Sequence, residues 1–422
     1  MHPNRMRILD RWVGRPLCGI VSGWTVAARL FGGRRQHREP GSAEQPSAIL
    51  FIMLAEIGAL VLTAPALRRA RERFPDARLL FLTFPAGVEM LELMGFERGQ
   101  IIVIDPAGVP TLMRSSFAAL RRLRRESGLA SVNFEVYSRF STLMAFLSRA
   151  RLRAGYHRFH EEGGYQGNLI TQRVVYSPHH HMASSYVALV EALSDPPGRE
   201  PCAKLPAADV LALRLRLPAD ADRSAGIWAA IRRRLSPDID IETERAKLII
   251  LNCNASDLVP LRRWPQERYV GLARRLLACS PHHVVVLTGS PAEAPDVAAM
   301  ARRISDARVV DLAGATSLRE LIDLYNVASL MVTNDSGPAH FASTTELPTL
   351  VLYGPETPRI FGPLGPRQEV VYLAPLCSPC VSVYNQKRST CTLNRCMLDI
   401  SVDLVFDRCR RMLERSDQCG AD

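Results

Sequence analysis

The chain has 422 residues, 53 basic and 42 acidic side chains, a net charge of +11 and 47% hydrophobic residues. This composition is typical of a globular protein, and it excludes a disordered chain, a collagen-like chain and a small disulfide scaffold. The length suffices for about two or three domains, and no uncharged run reaches the roughly 18 residues of a membrane-spanning helix. The positive charge favours an anionic partner, such as nucleic acid, anionic lipid or a phosphorylated substrate, and is equally typical of a bias towards arginine codons.

Residues 1–47 are predicted to be a basic, amphipathic extension that ends in a linker at 39–47. Arginines precede and follow an uncharged stretch at 16–28, which is too short to span a bilayer. Its apolar side chains include Leu17, Ile20, Val21 and Trp24. This pattern favours an anchor that lies in a membrane interface. A secretion signal, an extra helix packed on the fold and a disordered arm are the alternatives.

From residue 48 onwards, apolar runs alternate with amphipathic segments. The apolar runs predict strands at 48–54, 78–84, 101–104, 130–134 and 154–156. Helical segments lie between them, including one at 60–74. This order is typical of a parallel sheet covered by helices on both faces.

A stretch at 195–246, rich in proline, alanine and arginine, is predicted to join two domains. A second alternating series then predicts strands at 247–252, 283–288, 309–311, 330–333 and 349–353, and helices at 266–277, 292–304, 318–325 and 337–344. The predicted divisions are therefore 48–240, 241–375 and a C-terminal segment at 376–422. The predicted fold class is α/β, with two doubly wound, Rossmann-like domains facing a central cleft. Ligands of such sheets bind at the carboxyl ends of the strands.

The most informative stretch covers residues 330–366, where a strand ends in Asn-Asp-Ser-Gly and a helix begins at once. Backbone N–H groups at such a helix start, with the hydroxyl of Ser336 and the flexible backbone of Gly337, are suited to bind an anion. His340 lies one turn further along the helix. Asp335 is suited to a sugar hydroxyl rather than a phosphate. The alternative is a simple helix cap formed by Asp335 or Ser336.

A second strand-to-helix connection, at 251–265, carries both neutral donors and arginines. Asn254 and Ser256 offer neutral donors, and Arg262 and Arg263 offer charge. Cations at the start of a helix oppose its dipole. An anionic ligand would relieve that conflict, and arginine binds phosphate in a bidentate manner.

Four cysteines follow the second series, in the pattern Cys377-x2-Cys380-x10-Cys391-x4-Cys396. Four thiols within twenty residues suit a structural zinc site, although the last gap is wider than usual. Two disulfides and reduced structural thiols are the alternatives. Arginines at 121, 122, 124 and 125 indicate either a solvated helix face or a basic surface for an acceptor or a membrane.

Taken together, these motifs resemble glycosyltransferase family 9, the ADP-heptose:lipopolysaccharide heptosyltransferase group. The resemblance covers about residues 49–405. It is carried by ILFIMLAEIGALVLTAPAL, the RRWP stretch, LAGATSLRELIDLYNVASLMVTNDSGPAHFA and LYGPETP. It implies a GT-B fold, with the acceptor bound mainly by the first domain and the nucleotide-sugar by the second. It also implies an inverting, metal-independent sugar transfer.

The resemblance further implies roles for individual residues. Asp335 would bind hydroxyls of the donor sugar, while Ser336, the Gly337 amide and His340 would hold the diphosphate. Arg262 stands where the heptosyltransferases have lysine, and it would neutralise the leaving group. The resemblance assigns further donor contacts to Ser256, Thr316, Ser317 and Glu293.

One position departs from the family pattern. The heptosyltransferases carry a Gly-Asp pair after the first strand, and the aspartate is their proposed general base. This chain has Gly58-Ala59 there, and alanine cannot accept a proton. Glu56 is the predicted substitute, with Glu135 in reserve. The alternatives are a purely structural Glu56 and a catalytically inactive protein.

The sequence therefore predicts a glycosyltransferase that moves a sugar, heptose from ADP-heptose, onto a lipopolysaccharide-type or other lipid-linked acceptor. It would work without a catalytic cofactor at the cytoplasmic membrane face, and without nucleic acid. A silent nucleotide-sugar-binding scaffold and a nucleotide-sugar epimerase or hydrolase of the same fold are the alternatives.

Overall fold

The structure is a computed structural model. It describes residues 6, 8–31, 45–54, 57–136, 138–157, 167–195, 209–236, 239, 245–385 and 387–419, with only the backbone at 28–31 and 416–419. Glu56, most of the predicted linker and parts of the predicted junction lie outside these residues. The chain divides into two compact units, Met1–Leu213 with Val383–Gln386, and Arg214–Ser382 with Lys387–Asp422.

The first unit is built on a six-stranded parallel sheet. Its strands are β1 (Ala48–Ile52), β2 (Arg78–Thr83), β3 (Ile101–Val103), β4 (Leu129–Asn133), β5 (Leu152–Tyr156) and β6 (Gln172–Val174). The strand order is β3-β2-β1-β4-β5-β6. Five of these strands were expected from continuous apolar runs, because strands covered on both faces are buried along their whole length. The short strand β6, which contains two polar residues, gave no such signal.

Helices cover this sheet. They are α1 (Arg15–Phe31), α2 (Ile57–Leu62), α3 (Ala64–Arg73), α4 (Val88–Leu93), α5 (Val109–Leu123), α6 (Arg139–Leu147) and α7 (Met182–Glu191). A π-helical turn, Asp10–Gly14, leads into α1. The single helix predicted at 60–74 is interrupted at Thr63, because Pro65 at the start of α3 has no N–H to continue the helix.

The second unit repeats the same architecture. Its strands are β7 (Lys247–Asn252), β8 (His283–Leu287), β9 (Val309–Asp311), β10 (Leu330–Asn334), β11 (Thr349–Tyr353) and β12 (Gln368–Tyr372). The order β12-β11-β10-β7-β8-β9 matches that of the first sheet, since β7 takes the place of β1 and β10 the place of β4. Strand β12 was not predicted, because its residues are only partly buried and include charge.

The helices of the second unit are α8 (Ala221–Arg232), α9 (Gln266–Cys279), α10 (Ala294–Ile304), α11 (Leu318–Val327), α12 (Gly337–Ala342), α13 (Pro358–Phe361), α14 (Arg395–Leu398) and α15 (Val402–Cys419). The change of unit after Leu213 precedes the predicted boundary at residue 240. The reason is α8, whose Arg223 Nε donates to both carboxylate oxygens of Asp323 on α11, at 3.0 and 3.1 Å.

The C-terminal segment, predicted to stand apart, belongs mainly to the second unit. Helix α15 packs on α9, and its Val405, Cys409 and Met412 are buried in the core of that unit. The α/β class with two doubly wound sheets is thus confirmed. Within the described residues, no helix is long and apolar enough to cross a membrane.

Candidate functional site

The strand order of the second sheet reverses between β7 and β10, and ligands of doubly wound sheets bind where the order reverses. Asn334, the last residue of β10, lies fully buried at this point. Its Oδ1 accepts hydrogen bonds from Trp264 N and from the Tyr269 hydroxyl, both at 3.1 Å. Its Nδ2 donates to Cys253 O at 2.9 Å and to Asn254 O at 3.2 Å. One amide therefore fixes the β7 loop, the RRWP stretch and α9 to the end of β10.

A buried ionic group lies next to this amide. Arg262, in the 3₁₀ turn Pro260–Arg262, pairs with the carboxylate of Glu356, and its Nε lies 3.4 Å from Asp335 Oδ2. Its Nη1 also donates to Asp335 O at 3.4 Å. The side chains of Arg262, Asp335 and Glu356 are 13%, 4% and 5% exposed. Two carboxylates thus hold one guanidinium at the carboxyl edge of the sheet, since Asp335 follows β10 and Glu356 follows β11.

Tyr353, the last residue of β11, lies next to this group. Burial raises the pKa of the Tyr353 hydroxyl well above its ordinary value of 10, and the charges of Asp335 and Glu356 raise it further. The phenol therefore stays protonated, and it donates to Phe361 O at 3.4 Å. We refer to Arg262, Asp335, Glu356 and Tyr353 as the arginine cluster.

The start of α12 borders the arginine cluster. Ser336 precedes the helix in an extended conformation and makes no side-chain cap; its hydroxyl donates instead to Asn334 O at 3.2 Å. A cap by Ser336, one of the alternatives to ligand binding, is therefore wrong. A Cβ built on Gly337 would meet only the Phe341 ring, at 3.5 Å. His340, one turn on, is 8% exposed.

Ser256 and Arg263, two further candidates after β7, bond to residues of their own loop. The Ser256 hydroxyl accepts from Leu258 N at 3.2 Å. Arg263 donates to Ala255 O at 3.0 and 2.7 Å and pairs with Asp257. Arg263 therefore shapes this loop, whereas Arg262 enters the arginine cluster.

The loops after β8 and β9 carry the remaining predicted donor residues. Ser317 caps α11, because its Oγ accepts from Glu320 N at 3.2 Å while the Glu320 carboxylate accepts from Ser317 N at 2.8 Å. Thr316 precedes this cap and is half-buried. Glu293 precedes α10, and its Oε2 accepts from Ser290 N and Oγ, at 2.7 and 2.8 Å. Ser317 and Glu293 therefore have structural roles whether or not a ligand contacts them.

These loops adjoin one another and the β7 loop. The Gly314 N–H donates to Gly289 O at 2.9 Å. A Cβ built on Gly289 would come within 2.9 Å of Asn254 Nδ2, a buried atom without a hydrogen-bond partner among the described residues. The structure therefore brings the loops after β7, β8 and β9 together at one edge, beside the loop after β10.

In the first unit, the strand order reverses between β1 and β4. Glu135, the reserve candidate for the base, lies just beyond β4, and its Oε1 accepts from Leu54 N, beyond β1, at 2.8 Å. Ala59 is buried in α2, and Glu56 lies outside the described residues. The assignment of Glu56 as the base stays a prediction.

The cysteine cluster does not form a metal site in this structure. Across the described residues, which include all four cysteines, no group of three or more His, Cys, Asp or Glu side chains is placed to hold a metal ion. Cys396 is buried against the core of the second unit, whereas Cys377 is exposed. None of the four forms a disulfide in the structure, and the reduced-thiol state stays a prediction. The zinc site stays a prediction that this arrangement does not support.

Sequence reasoning missed three residues of the candidate site. Asn334 and Glu356 lie in the NDSGP and GPETP motifs but were given no role, and Tyr353 was taken only as the end of a strand. Their position could have revealed them, because polar residues that follow adjacent parallel strands converge at one edge of the sheet. Glu356 follows β11, which is the neighbour of β10.

Comparisons with known proteins identify the family and the fold of this chain. The model of glycosyltransferase family 9 (heptosyltransferase) matches residues 138–390. The chain is 28% identical to lipopolysaccharide heptosyltransferase 2 of Salmonella typhimurium over 182 residues, which cover 42% of this chain and 49% of that protein. It is 33% identical to lipooligosaccharide heptosyltransferase 2 of Haemophilus influenzae over 128 residues, 30% of this chain and 36% of that protein. The matches thus span about half or less of these curated relatives.

Solved structures share the fold over more of the chain. The E. coli ADP-heptose lps heptosyltransferase II superposes with a TM-score of 0.65 at 20% identity, covering 88% of this chain and 99% of that one. The family 9 glycosyl transferase from Veillonella parvula superposes with a TM-score of 0.66 at 19% identity, covering 88% and 98%. These likenesses establish an α/β, GT-B-like fold. Since the family model matches more than half of the residues, this chain belongs to glycosyltransferase family 9, the heptosyltransferase family.

Proposed function

We propose that this protein transfers a sugar from a nucleotide diphosphate donor, ADP-heptose, to a lipopolysaccharide-type acceptor. The observation that carries the proposal is Arg262, held by Asp335 and Glu356 where the strand order of the second sheet reverses. Family membership supports the same reaction class. Curated relatives are named for heptosyl transfer to lipopolysaccharide, and a solved relative of the same fold, E. coli WaaC, has been described with ADP.

The reaction needs charge stabilisation on the leaving group. An acceptor hydroxyl attacks the anomeric carbon, the bond from that carbon to the diphosphate oxygen breaks, and the electron pair passes to the diphosphate. Arg262 would bind the negative charge that develops there, with the Ser336 hydroxyl and His340 beside it. Asp335 would orient the hydroxyls of the donor sugar. Because the attack comes from the face opposite the diphosphate, the proposed transfer inverts the anomeric centre, and Arg262 could supply its charge without a catalytic metal.

The acceptor hydroxyl must also lose a proton. We propose Glu56 for this step, with Glu135 as the alternative, because both follow strands at the reversal point of the first sheet. The bond from Leu54 N orients the Glu135 carboxylate, as a base requires. The lipid-linked acceptor would bring the protein to the cytoplasmic face of a membrane.

A thermal-shift panel against ADP-, UDP-, GDP- and dTDP-sugars tests the donor proposal. A ligand at about 100 times its Kd stabilises a folded protein by about 2.7 kcal/mol, which is readily measured as a rise in Tm. We expect ADP-sugars to give the largest rise, and Asp335→Ala to abolish it. Asp257→Ala, at an exposed carboxylate of the neighbouring loop, is the matched control. A folded protein whose Tm no nucleotide changes would contradict the proposal.

A silent scaffold is the second candidate, and Ala59 is the observation that favours it. The buried Ala59 methyl occupies the position of the family's proposed base. Isothermal titration with ADP-heptose, followed by assays of ADP release, separates the two functions. Donor binding without turnover, unchanged by Glu56→Gln and Glu135→Gln, would support the scaffold. Turnover that either substitution lowers at least tenfold would support the transferase and identify its base.

A further inference from the structure

Helix α1 and its leading π turn have one packed side and one exposed apolar side. The packed side includes Gly14, Cys18 and Ser22, all buried. A Cβ on Gly14 would meet the Arg139 side chain at 2.9 Å, and Ser22 Oγ accepts from Asn168 N at 2.9 Å. The opposite side exposes apolar residues: Trp12 at 72%, Val13 at 44%, Leu17 at 42%, Ile20 at 68% and Trp24 at 67%. The extra packed helix, one alternative for this segment, is thus present, and it presents an apolar face.

An ion pair fixes this segment on the first unit. Asp10 Oδ2 lies 3.1 Å from Arg139 Nη1, and Asp10 Oδ1 accepts from Phe140 N at 2.9 Å. The Arg139 side chain is 2% exposed. Because Asp10 makes these bonds to the first residues of α6, the exposed side of α1 has a set orientation relative to the first sheet.

Helix α5 presents a second apolar stripe. Val109, Met113 and Phe117 recur every four residues and are 50%, 64% and 68% exposed. The inner side of α5, including Leu112 and Leu120, packs in the core cluster that Met6 and Phe140 also contact. Helix α6 contacts both α5 and the π turn. The π turn and α5 therefore both pack against α6, and Met6 and α5 contact the same core cluster.

Within the two segments the charged side chains have one sign, while Asp10, Asp105 and Glu126 border them. Residues 11–31 contain three arginines and no acidic residue, and residues 106–125 contain five arginines and no acidic residue. Arg15, Arg114 and Arg121 are exposed. Exposed aromatic side chains beside arginines are typical of segments that lie in the interface of an anionic membrane. A second copy of the chain would bring arginines against arginines, so this charge distribution disfavours self-association.

We propose that these stripes form one binding surface for anionic phospholipid bilayers, named here the two-helix surface. It comprises Trp12, Ile20, Trp24, Val109, Met113 and Phe117. Its aromatic and aliphatic side chains enter the interface, and the surrounding arginines bind anionic headgroups. The proposal rests on the proposed function in one respect, since a membrane surface on the first unit would bring a lipid-linked acceptor to that unit.

Co-sedimentation of the full chain with vesicles tests the two-helix surface. We expect binding to phosphatidylethanolamine–phosphatidylglycerol vesicles, weakened by salt, and at least tenfold weaker binding to phosphatidylcholine vesicles. Trp12→Ser with Trp24→Ser, and separately Met113→Ser with Phe117→Ser, should each lower the partition coefficient about tenfold. Leu393→Ser, at a leucine of the second unit that is 71% exposed, is the matched control and should change it less than twofold.

Three results would overturn the proposal. Equal binding to the two vesicle types would show that anionic headgroups do not contribute to binding. Loss of binding through α1 alone, with the α5 variant unchanged, would show that the helices do not act as one surface. An absence of vesicle binding, together with a dimer in analytical ultracentrifugation that both double variants dissociate, would identify a second copy as the occupant. The variants lie at exposed positions, and circular dichroism checks their folding.

Tryptophan fluorescence gives an independent measurement. Brominated phospholipids should quench part of the emission of the wild-type chain, and Trp12→Phe with Trp24→Phe should remove that part, because the remaining Trp228 and Trp264 lie in the second unit, the latter 1% exposed. Quenching that persists unchanged in this variant would contradict insertion of α1. Neither lipid experiment depends on nucleotide binding, so failure of the donor proposal would show separately in the ADP thermal shift.

Discussion

Asn133 and Asn334 occupy equivalent positions in the two units, since each is the last residue of the strand at which the order reverses. Asn133 bonds within its own connection: its Nδ2 donates to Thr142 Oγ1 at 3.3 Å, and its Oδ1 accepts from Glu135 N at 3.2 Å. Asn334 instead bonds across the reversal to three other segments. The same topology and the same residue thus support a locally organised edge in one unit and a cross-linked edge in the other.

This difference fits the two binding tasks that we propose. A leaving diphosphate needs charges held in place before the reaction, because reorganisation of those charges would add to the barrier. The second unit has such charges in the arginine cluster, cross-linked through Asn334. In the first unit, a side-chain bond across the reversal joins Leu54 N to Glu135. Among the described residues, that edge presents the half-buried carboxylate of Glu135, which is suited to a proton transfer.

Replacement of the arginine in the cluster should have the largest effect on ADP binding. Arg262→Ala removes the charge for the diphosphate and leaves two buried carboxylates together. We expect ADP affinity to fall about 100-fold, which corresponds to about 2.7 kcal/mol. Isothermal titration measures this, and Arg263→Ala, which alters only the loop at 255–257, should change the Kd less than threefold. Equal effects of the two substitutions would mean that Arg262 has no special role.

Paired alanine substitutions test the difference between the two asparagines. Asn334→Ala leaves two donors and two carbonyl oxygens of the second unit without this partner, and we expect a loss of about 3 kcal/mol in the free energy of unfolding. Asn133→Ala should cost about 1 kcal/mol, because its two bonds are local. Urea unfolding of both variants measures the difference. Equal losses would show that the cross-links at the second edge add nothing to stability.

The sequence predicted ten of the twelve strands, all except β6 and β12, because fully buried strands give long apolar runs. It also singled out Arg262 and Asp335, which the structure places 3.4 Å apart, and their roles toward a donor stay predictions. It could not predict Glu356 as the partner of Arg262, because they lie 94 positions apart and only the adjacency of β10 and β11 brings them together. It named Leu17, Ile20 and Trp24 on the exposed side of α1. It could not predict the packed side, since that depends on the positions of Arg139 and Asn168.

Glu356→Gln tests how the negative charge of this carboxylate affects ADP binding. Neutralising Glu356 removes one negative charge beside the incoming diphosphate and leaves Arg262 paired with Asp335. We expect ADP affinity to rise about fivefold, or about 1 kcal/mol, with a weaker dependence on salt. Isothermal titration at two ionic strengths is the measurement. A fall in affinity would instead assign Glu356 the task of holding Arg262 in its binding position.

The smallest effect on ADP affinity is expected at Ser317, where a structural role and a proposed donor contact coincide. Ser317→Ala removes the cap of α11, so the free energy of unfolding at neutral pH should fall by about 1 kcal/mol. Hydrogen bonds from Ser317 N and Oγ lower the pKa of Glu320 below its ordinary value of 4.5. A lowered folded-state pKa contributes stability above the ordinary value, and this contribution is lost as the pH falls through the folded-state value. The difference between wild type and Ser317→Ala should therefore shrink below pH 4.5, as urea unfolding across the pH range would measure. If ADP affinity stays within twofold in the same variant, Ser317 acts only as a cap and makes no donor contact of its own.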